Sequence, residues 1–356
     1  MSNATRWYLG RESLKRAVGI SGSAVEDRLI DRYIEAASED VERLLYGRRF
    51  MPVTATRLYP WPRRKGSSWV LYTHEDLLAI TTLQSKAQDA SPTTIAAADY
   101  FVEPQRSGPP YDRIEIDFSS TAAFEAGDTP QRSISVAGRW AYSEDTKAAG
   151  TLRTAAGLTA AATAMLCSDG SLIEVGDTLL IDTESTFVSG KTNAAEENND
   201  LLNGAVGEAT ETVSVTVDLG TRYAVGEVIQ VDSEKMLIEA ISGNVLTVKR
   251  AYDGSLLASH LDNAAVNVFR SLTIVRGVNG TTAATHALAA AVVKYAPPAD
   301  VWLYVLAKAI LDHKQSQSGW TGQIGVGEGA VAVRAESIPM LREQLIQKYR
   351  PWWTIL

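Results

Sequence analysis

The sequence predicts an α+β protein: a small helical bundle with a β-sheet core, plus a β-rich insertion made of a module with a second copy nested inside it. Two observations predict it. Helical periodicity is confined to the two ends of the chain, and β-rich runs fill the space between. The middle of the chain also repeats itself, and internal repeats decide architecture. Gly170-Ser171-Leu172-Ile173-Glu174-Val175-Gly176-Asp177, followed by Leu179-Leu180-Ile181-Asp182-Thr183-Glu184, returns as Gly220-Thr221-Arg222-Tyr223-Ala224-Val225-Gly226-Glu227 and Ile229-Gln230-Val231-Asp232-Ser233-Glu234. Leu246-Thr247-Val248-Lys249-Arg250-Ala251-Tyr252-Asp253-Gly254-Ser255 returns as Leu272-Thr273-Ile274-Val275-Arg276-Gly277-Val278-Asn279-Gly280-Thr281, and each run continues to a histidine, His260 or His286. The complete inner copy lies between the two halves of the outer one. The predicted organisation is a core in two parts, residues 1–149 and 296–356, around an insertion at 150–295 in which 192–271 is the nested copy.

The chain opens with a helical hairpin. A short helix is expected from Arg11 to Ala17, with Gly19 to Gly22 as the turn. Ser23 is an N-cap, and Glu26 completes a capping box. Val25, Leu29, Ile30, Tyr33, Ile34, Ala37, Val41, Leu44 and Leu45 then form one apolar stripe, and Gly47 ends the helix. Strand signals follow at Thr54–Tyr59, Trp69–Tyr72, Leu77–Leu83, Tyr100–Glu103, Arg113–Asp117 and Ser133–Trp140, which predicts a small mixed or antiparallel sheet.

Within the insertion, Asp253-Gly254 and Asn279-Gly280 are two-residue hairpin signals. Thr192 to Gly207 is polar and reads as a flexible connector into the nested copy. Pro297-Pro298 closes the block. Asp300 opens a helix with Val301, Leu303, Tyr304, Leu306, Ala307, Ile310 and Leu311 as its buried stripe. The glycine-rich run Gly322–Gly329 reads as a mobile loop or open hairpin, and a final helix is expected from Pro339 to about Tyr349.

Bulk properties exclude several classes. No run of apolar residues is long enough to span a membrane, so no membrane partner is expected, and Met1 to Trp7 carries no secretory signal. The single Cys167 cannot form an internal disulfide. The net charge of -8 argues against gripping DNA through phosphates. The local patches Arg48-Arg49 and Arg63-Arg64-Lys65 read as solvated loop charge.

No catalytic, cofactor or metal residues are assigned. His260 and His286 occupy equivalent places, but the Cys and His spacing of a zinc site is missing, and each is read as packing a repeated turn. Asp182-x-Glu184 and Asp232-x-Glu234 put two carboxylates on one strand face and read as a solvent-facing edge. The Gly322–Gly329 run lacks the Gly-Lys-Ser/Thr ending of a phosphate loop. The tail is different. Trp352 and Trp353 stand beside Tyr349 and Arg350, and these are the residue types that anchor interfaces; the alternative is that the tail docks back onto the protein's own core. Burying one indole removes roughly 200 Å² from water, an upper-bound gain of about 5 kcal/mol.

The flanks carry a resemblance. Leu14-Lys15-Arg16-Ala17-Val18-Gly19-Ile20 comes first, then Ile34-Glu35-Ala36-Ala37-Ser38, Leu45-Tyr46-Gly47-Arg48-Arg49-Phe50 and Pro52-Val53-Thr54-Ala55-Thr56-Arg57. Leu78-Ala79-Ile80-Thr81-Thr82-Leu83 and Val136-Ala137-Gly138-Arg139-Trp140-Ala141-Tyr142 precede the insertion. Pro297-Pro298-Ala299-Asp300-Val301 and Leu345-Ile346-Gln347-Lys348-Tyr349-Arg350-Pro351-Trp352 follow it. In this order they resemble the head-to-tail adaptor (connector) proteins of long-tailed bacteriophages, over residues 10–142 and 297–353. The inserted block resembles a module that some of these adaptors carry. Its nested copy departs from the pattern, with Ala251 in place of a glycine and Asp253 in place of an asparagine.

The resemblance implies a structural virion protein and not an enzyme. It implies a self-assembled ring, usually twelve-fold, that joins capsid to tail under the portal at the neck, after assembly in the host cytoplasm. A tail or neck completion protein is the partner on the other side, and genomic DNA passes through the lumen without sequence-specific binding. Tyr349, Arg350, Trp352 and Trp353 are then the candidate portal-docking residues. Arg48, Arg49, Ile324 and Val326 are candidate ring or tail contacts. The alternative class is a virion surface or carbohydrate/receptor-binding protein whose β modules bind. Such a module would not need helical flanks and a docking tail.

Overall fold

The structure, a computed structural model, describes residues 6–19, 24–62, 68–153, 157–195, 200–209, 213–317, 323–324, 331–332 and 337–351. The Ser23 cap, the turn at residues 20–22, the Arg63-Arg64-Lys65 patch and most of the Gly322–Gly329 run lie outside the described residues. The chain is mixed α and β, with four helices and two large antiparallel sheets among the described residues.

Helix α1 (Arg11–Val18) closes on Gly19, whose φ of 70° is the left-handed conformation that glycine tolerates. Helix α2 (Ala24–Leu44) buries Ile30, Ile34, Ala37 and Val41 along one stripe, as its periodicity predicts. Leu29 falls at the edge of that stripe and is 40% exposed. Past the helix, Gly47 N–H donates to the Glu42 carbonyl at 2.8 Å.

The first sheet holds β1 (Val53–Tyr59), β2 (Val70–Ser85), β3 (Thr93–Ile95), β4 (Tyr100–Glu103), β5 (Tyr111–Ile116) and β6 (Ile134–Trp140). Its order is β1-β6-β2-β5-β4, with β3 also on β2, and every pairing is antiparallel. The two strands expected at Trp69–Tyr72 and Leu77–Leu83 are one strand, β2. Its register against β5 shifts between Tyr72 and Leu77, where His74 turns left-handed at φ 51°. A bulge of this kind breaks the alternation that marks a strand in the sequence without ending the strand.

The second sheet holds β7 (Thr146–Thr151), β8 (Ala164–Leu166), β9 (Thr178–Ile181), β10 (Glu184–Ala195), β11 (Ser214–Thr216), β12 (Val228–Val231), β13 (Glu234–Ser242), β14 (Val245–Lys249), β15 (Val266–Val275) and β16 (Ala291–Tyr295). The order is β11-β14-β13-β12-β15-β10-β9-β16-β7, with β8 on β15. Two separate apolar cores form beneath it. One gathers Ala149, Leu179, Ile181, Val188, Leu272 and Val292; the other gathers Leu202, Ile229, Val231, Ile238, Val248 and Val268. Strand β15 serves both, through Val266 and Val268 at one end and Leu272 and Ile274 at the other.

Local geometry recurs between the two. Leu152 bridges Cys167 as Leu202 bridges Val217, and Leu158 bridges His286 as Val206 bridges His260. The ladder slips between Val188 and Gly190 on β10, and again between Ile238 and Ala240 on β13. Two expectations are corrected here. Residues 200–207 are built into the second core: Leu202 is buried, and its N–H donates to the Ala264 carbonyl at 2.9 Å. Asp253-Gly254 and Asn279-Gly280 do not close hairpins. They sit in single 3-10 turns, with Asp253 and Asn279 left-handed at φ 50° and 54°. No strand follows to pair with β14 or β15 at once, so the turns face the rest of the chain instead.

The chain closes with α3 (Ala299–Gln317), the strand pair β17 (Gln323–Ile324) and β18 (Val331–Ala332), and α4 (Ser337–Tyr349). A third core draws on both ends of the sequence: Tyr8, Leu14, Ile34 and Phe50 meet Val301, Tyr304, Leu345 and Tyr349. The buried face of α3 is Val301, Tyr304, Val305, Ala309, Asp312 and His313. Leu303, expected inside, is 45% exposed. The helix is apolar on more than one side, and the side that packs on α2 is set by Tyr304, whose hydroxyl donates to Asp40 at 2.6 Å.

Candidate functional site

The end of α4 carries the expected docking residues, and the structure turns the first of them inward. Tyr349 is 1% exposed. Its ring meets Phe50 and Tyr142 edge-on, with centroids 5.2 and 5.0 Å away. Its hydroxyl donates to Asp300 at 2.7 Å. Burial pushes its pKa up to about 12, so the phenol stays a donor at neutral pH. Tyr349 as an outward portal anchor is therefore corrected. A helix-end aromatic was free to turn either way, and the Phe50–Tyr142 pocket with Asp300 at its rim decides the direction.

Arg48 is corrected as well. It pairs with Asp76, with Nε 2.7 Å from Oδ2 and Nη2 donating to Oδ1 at 2.9 Å. Its Nη1 donates to the Tyr349 carbonyl at 2.6 Å, and its guanidinium lies 4.9 Å from the Tyr142 ring centre. It is an internal tie between the α2 exit, β2 and the end of α4, not a surface contact. Arg49 lines a cleft of about 390 Å³ beside these groups. Arg350 is exposed, with its guanidinium 5.8 Å from the Tyr46 ring centre. Ile324 pairs with Val331 where β17 meets β18. Trp352, Trp353 and Val326 lie outside the described residues.

The paired carboxylates of the insertion are not a solvent-facing edge. Asp182-Thr183 and Asp232-Ser233 form tight turns, because Ile181 pairs with Glu184 and Val231 with Glu234. Only the aspartates face water; Glu184 and Glu234 are fully buried. Glu184 accepts from Arg276 Nε and Nη2 at 2.7 Å, Ala284 N–H at 2.8 Å, Gly277 N–H at 2.9 Å and His286 Nε2 at 2.9 Å. Glu234 accepts from Arg250 Nε and Nη2 at 2.7 Å, Ala251 N–H at 2.9 Å, Ala258 N–H at 3.1 Å and His260 Nε2 at 2.9 Å. Each histidine also bonds its aspartate through Nδ1 at 2.7 Å. Burial alone would raise the two glutamates. The arginines, amides and histidines outweigh it and hold both at about 2. The histidines pack a repeated turn, as expected. The arginines were missed. Their signal was present, since Arg250 and Arg276 hold equivalent places in the repeat and a buried carboxylate needs a cation.

Two of the 3-10 turns, those that follow β14 and β15, bring the second sheet against the rest of the chain. A side chain at Gly280 would run into the Thr54 carbonyl of β1, so close approach requires glycine there. At the other turn, Asp253 pairs with Lys15 of α1 and, at 2.7 Å, with Lys235. Glu174 supplies the cap that α1 lacks, accepting from Ser13 N–H at 3.1 Å, and also pairs with Arg16. No protein-family model, no curated protein and no solved structure matches this chain.

Proposed function

We propose that the chain is a structural head-to-tail adaptor of a tailed-phage virion. It forms a ring under the portal that joins capsid to tail and lets DNA pass through its lumen. In this reading the block at 150–295 is an appendage: a module with a second copy, 192–271, nested inside it, beside a small bundle of helices. The observation that carries the reading is the shared core. Residues before and after the insertion close one apolar cluster, from Tyr8 to Met51 and from Val301 to Tyr349. The flanks thus behave as one host unit, and their ordered motifs are those that resemble the adaptors. The repeated Glu–Arg–His–Asp contacts support the nesting. The acidic balance suits a duct, because a sliding duplex should not be gripped.

With Tyr349 committed to the core, the portal anchors in this reading are Arg350, Trp352 and Trp353. The test is a purified portal mixed with the full chain and with a chain ending at Pro351. The full chain is expected to bind as a ring visible in negative stain. The shortened chain should keep its melting temperature and lose portal affinity by about two orders of magnitude, as loss of two hot-spot indoles implies. A full chain that ignores the portal, or a shortened chain that binds as well, contradicts the reading.

A further inference from the structure

The cleft of about 390 Å³ beside α4 brings together Arg48, Arg49 and Arg57, facing Glu75 and Asp76. Its own pairings account for two of the three cations. Arg48 is held by Asp76, and Arg57 Nε donates to Glu75 at 2.9 Å. The Arg49 carbonyl accepts from Tyr142 N–H at 2.8 Å, while its half-buried guanidinium makes no hydrogen bond or ion pair among the described residues. The carboxylate it acts on, Glu42, is already bonded by the Tyr8 hydroxyl and paired with Arg6, so Arg49 has lost part of its water without a direct partner.

The rim is shaped as well as charged. Tyr46 and His74 both hold left-handed backbone, at φ 59° and 51°. Bulky residues seldom adopt that conformation, and outliers of this kind gather at binding sites. The Tyr46 ring is 59% exposed, and Trp140 forms another wall. These faces suit the methylenes of an acidic side chain, and the guanidinium fork suits its carboxylate.

We propose that this cleft is a docking site for an acidic side chain of another protein, with Arg49 taking the carboxylate. The proposal stands on the cleft alone and is independent of the adaptor reading. A protein carboxylate is favoured over a nucleic-acid backbone on charge. One unpaired guanidinium satisfies one anion, whereas a polyanion needs a run of cations and meets a chain of net charge -8.

The experiment is isothermal titration of the full chain with an oligoglutamate peptide and with a short DNA duplex at low salt. Arg49→Gln should weaken peptide binding about tenfold or more, the size of one charge-assisted pair. Arg49→Lys keeps the charge, loses the fork and should fall between. Arg32→Gln, an equal charge change on the exposed face of α2, should change binding less than about twofold. Melting curves of the variants check folding, and Arg49→Lys remains informative if Arg49→Gln does not fold. No peptide binding by the unmodified chain, equal losses in Arg49→Gln and Arg32→Gln, or a duplex that binds more tightly with the same Arg49 dependence would each overturn the proposal.

Discussion

The two cores of the large sheet, one around Leu179, Val188 and Leu272 and the other around Ile229, Ile238 and Val248, use the same interior contacts and differ where they face the rest of the chain. Inside, Glu184 with Arg276 and His286 matches Glu234 with Arg250 and His260 to within a few tenths of an ångström. Outside, the equivalent turns diverge. Asn279 is buried, and its turn lies against β1; Asp253 is partly exposed and reaches Lys15 of α1. The difference separates two kinds of constraint. A buried carboxylate that loses its arginine leaves an uncompensated charge, so the interior set must stay whole. A docking turn answers only to the surface it meets, so Ala251 and Asp253 could depart from the pattern without harm to the module. At Asp253 the departure supplies the carboxylate that pairs with Lys15.

The largest expected effect comes from the interior. Glu234→Ala strands Arg250 and should cost about 3–5 kcal/mol. Hydrogen exchange should quicken across residues 202–268 while Leu179 and Val188 stay protected. Glu184→Ala should cost about as much but loosen both cores, because β15 pairs with both β10 and β12. Identical exchange patterns in the two variants would break the comparison.

Acid comes next. Both glutamates titrate near 2 in the folded chain and at about 4.3 when unfolded. A depressed carboxyl adds stability above its unfolded value and loses it as pH falls toward its folded value. Melting followed from pH 5 to 2 should show both cores weakening together in the window from about 4.3 to about 2. A flat profile across that window would show that the carboxylates are not held as described.

The smallest effects sharpen the docking contrast. Asp253→Asn removes partly exposed pairs with Lys15 and Lys235 and should cost about 0.5–1 kcal/mol, less at high salt. Asn279→Asp places a new charge in a buried turn and should cost more. If the two exchanges cost the same, the turns are not specialised.

Much of this arrangement was legible in the sequence. The offsets of the repeat marked equivalent positions, and the Asp-x-Glu and histidine positions recur together in space. What was not legible depended on direction. Period-two spacing placed Asp182 and Glu184 on one strand face, but a left-handed residue at φ 52° makes Asp182 a turn and sends the glutamate inward. Periodicity located α4 but could not say that Tyr349 would fill the gap between Phe50 and Tyr142. The α3 stripe was misjudged because Leu303 and Val305 are equally apolar, and only the packing against α2 chooses between them. The split reading of β2 has the same origin, since a bulge hides continuity that only pairing reveals.

The central claim is that the inner module is a self-contained insert. Lys191 and Leu272 face each other across β10 and β15, so residues 192–271 can be excised and the ends joined by an Asn-Gly turn. Hydrogen exchange and thermal melting of that shortened chain test the claim directly. The account predicts a soluble protein with one cooperative transition and undiminished protection at Leu179, Ile181 and Val188. An insoluble chain, or a soluble one whose remaining sheet exchanges freely, would contradict it.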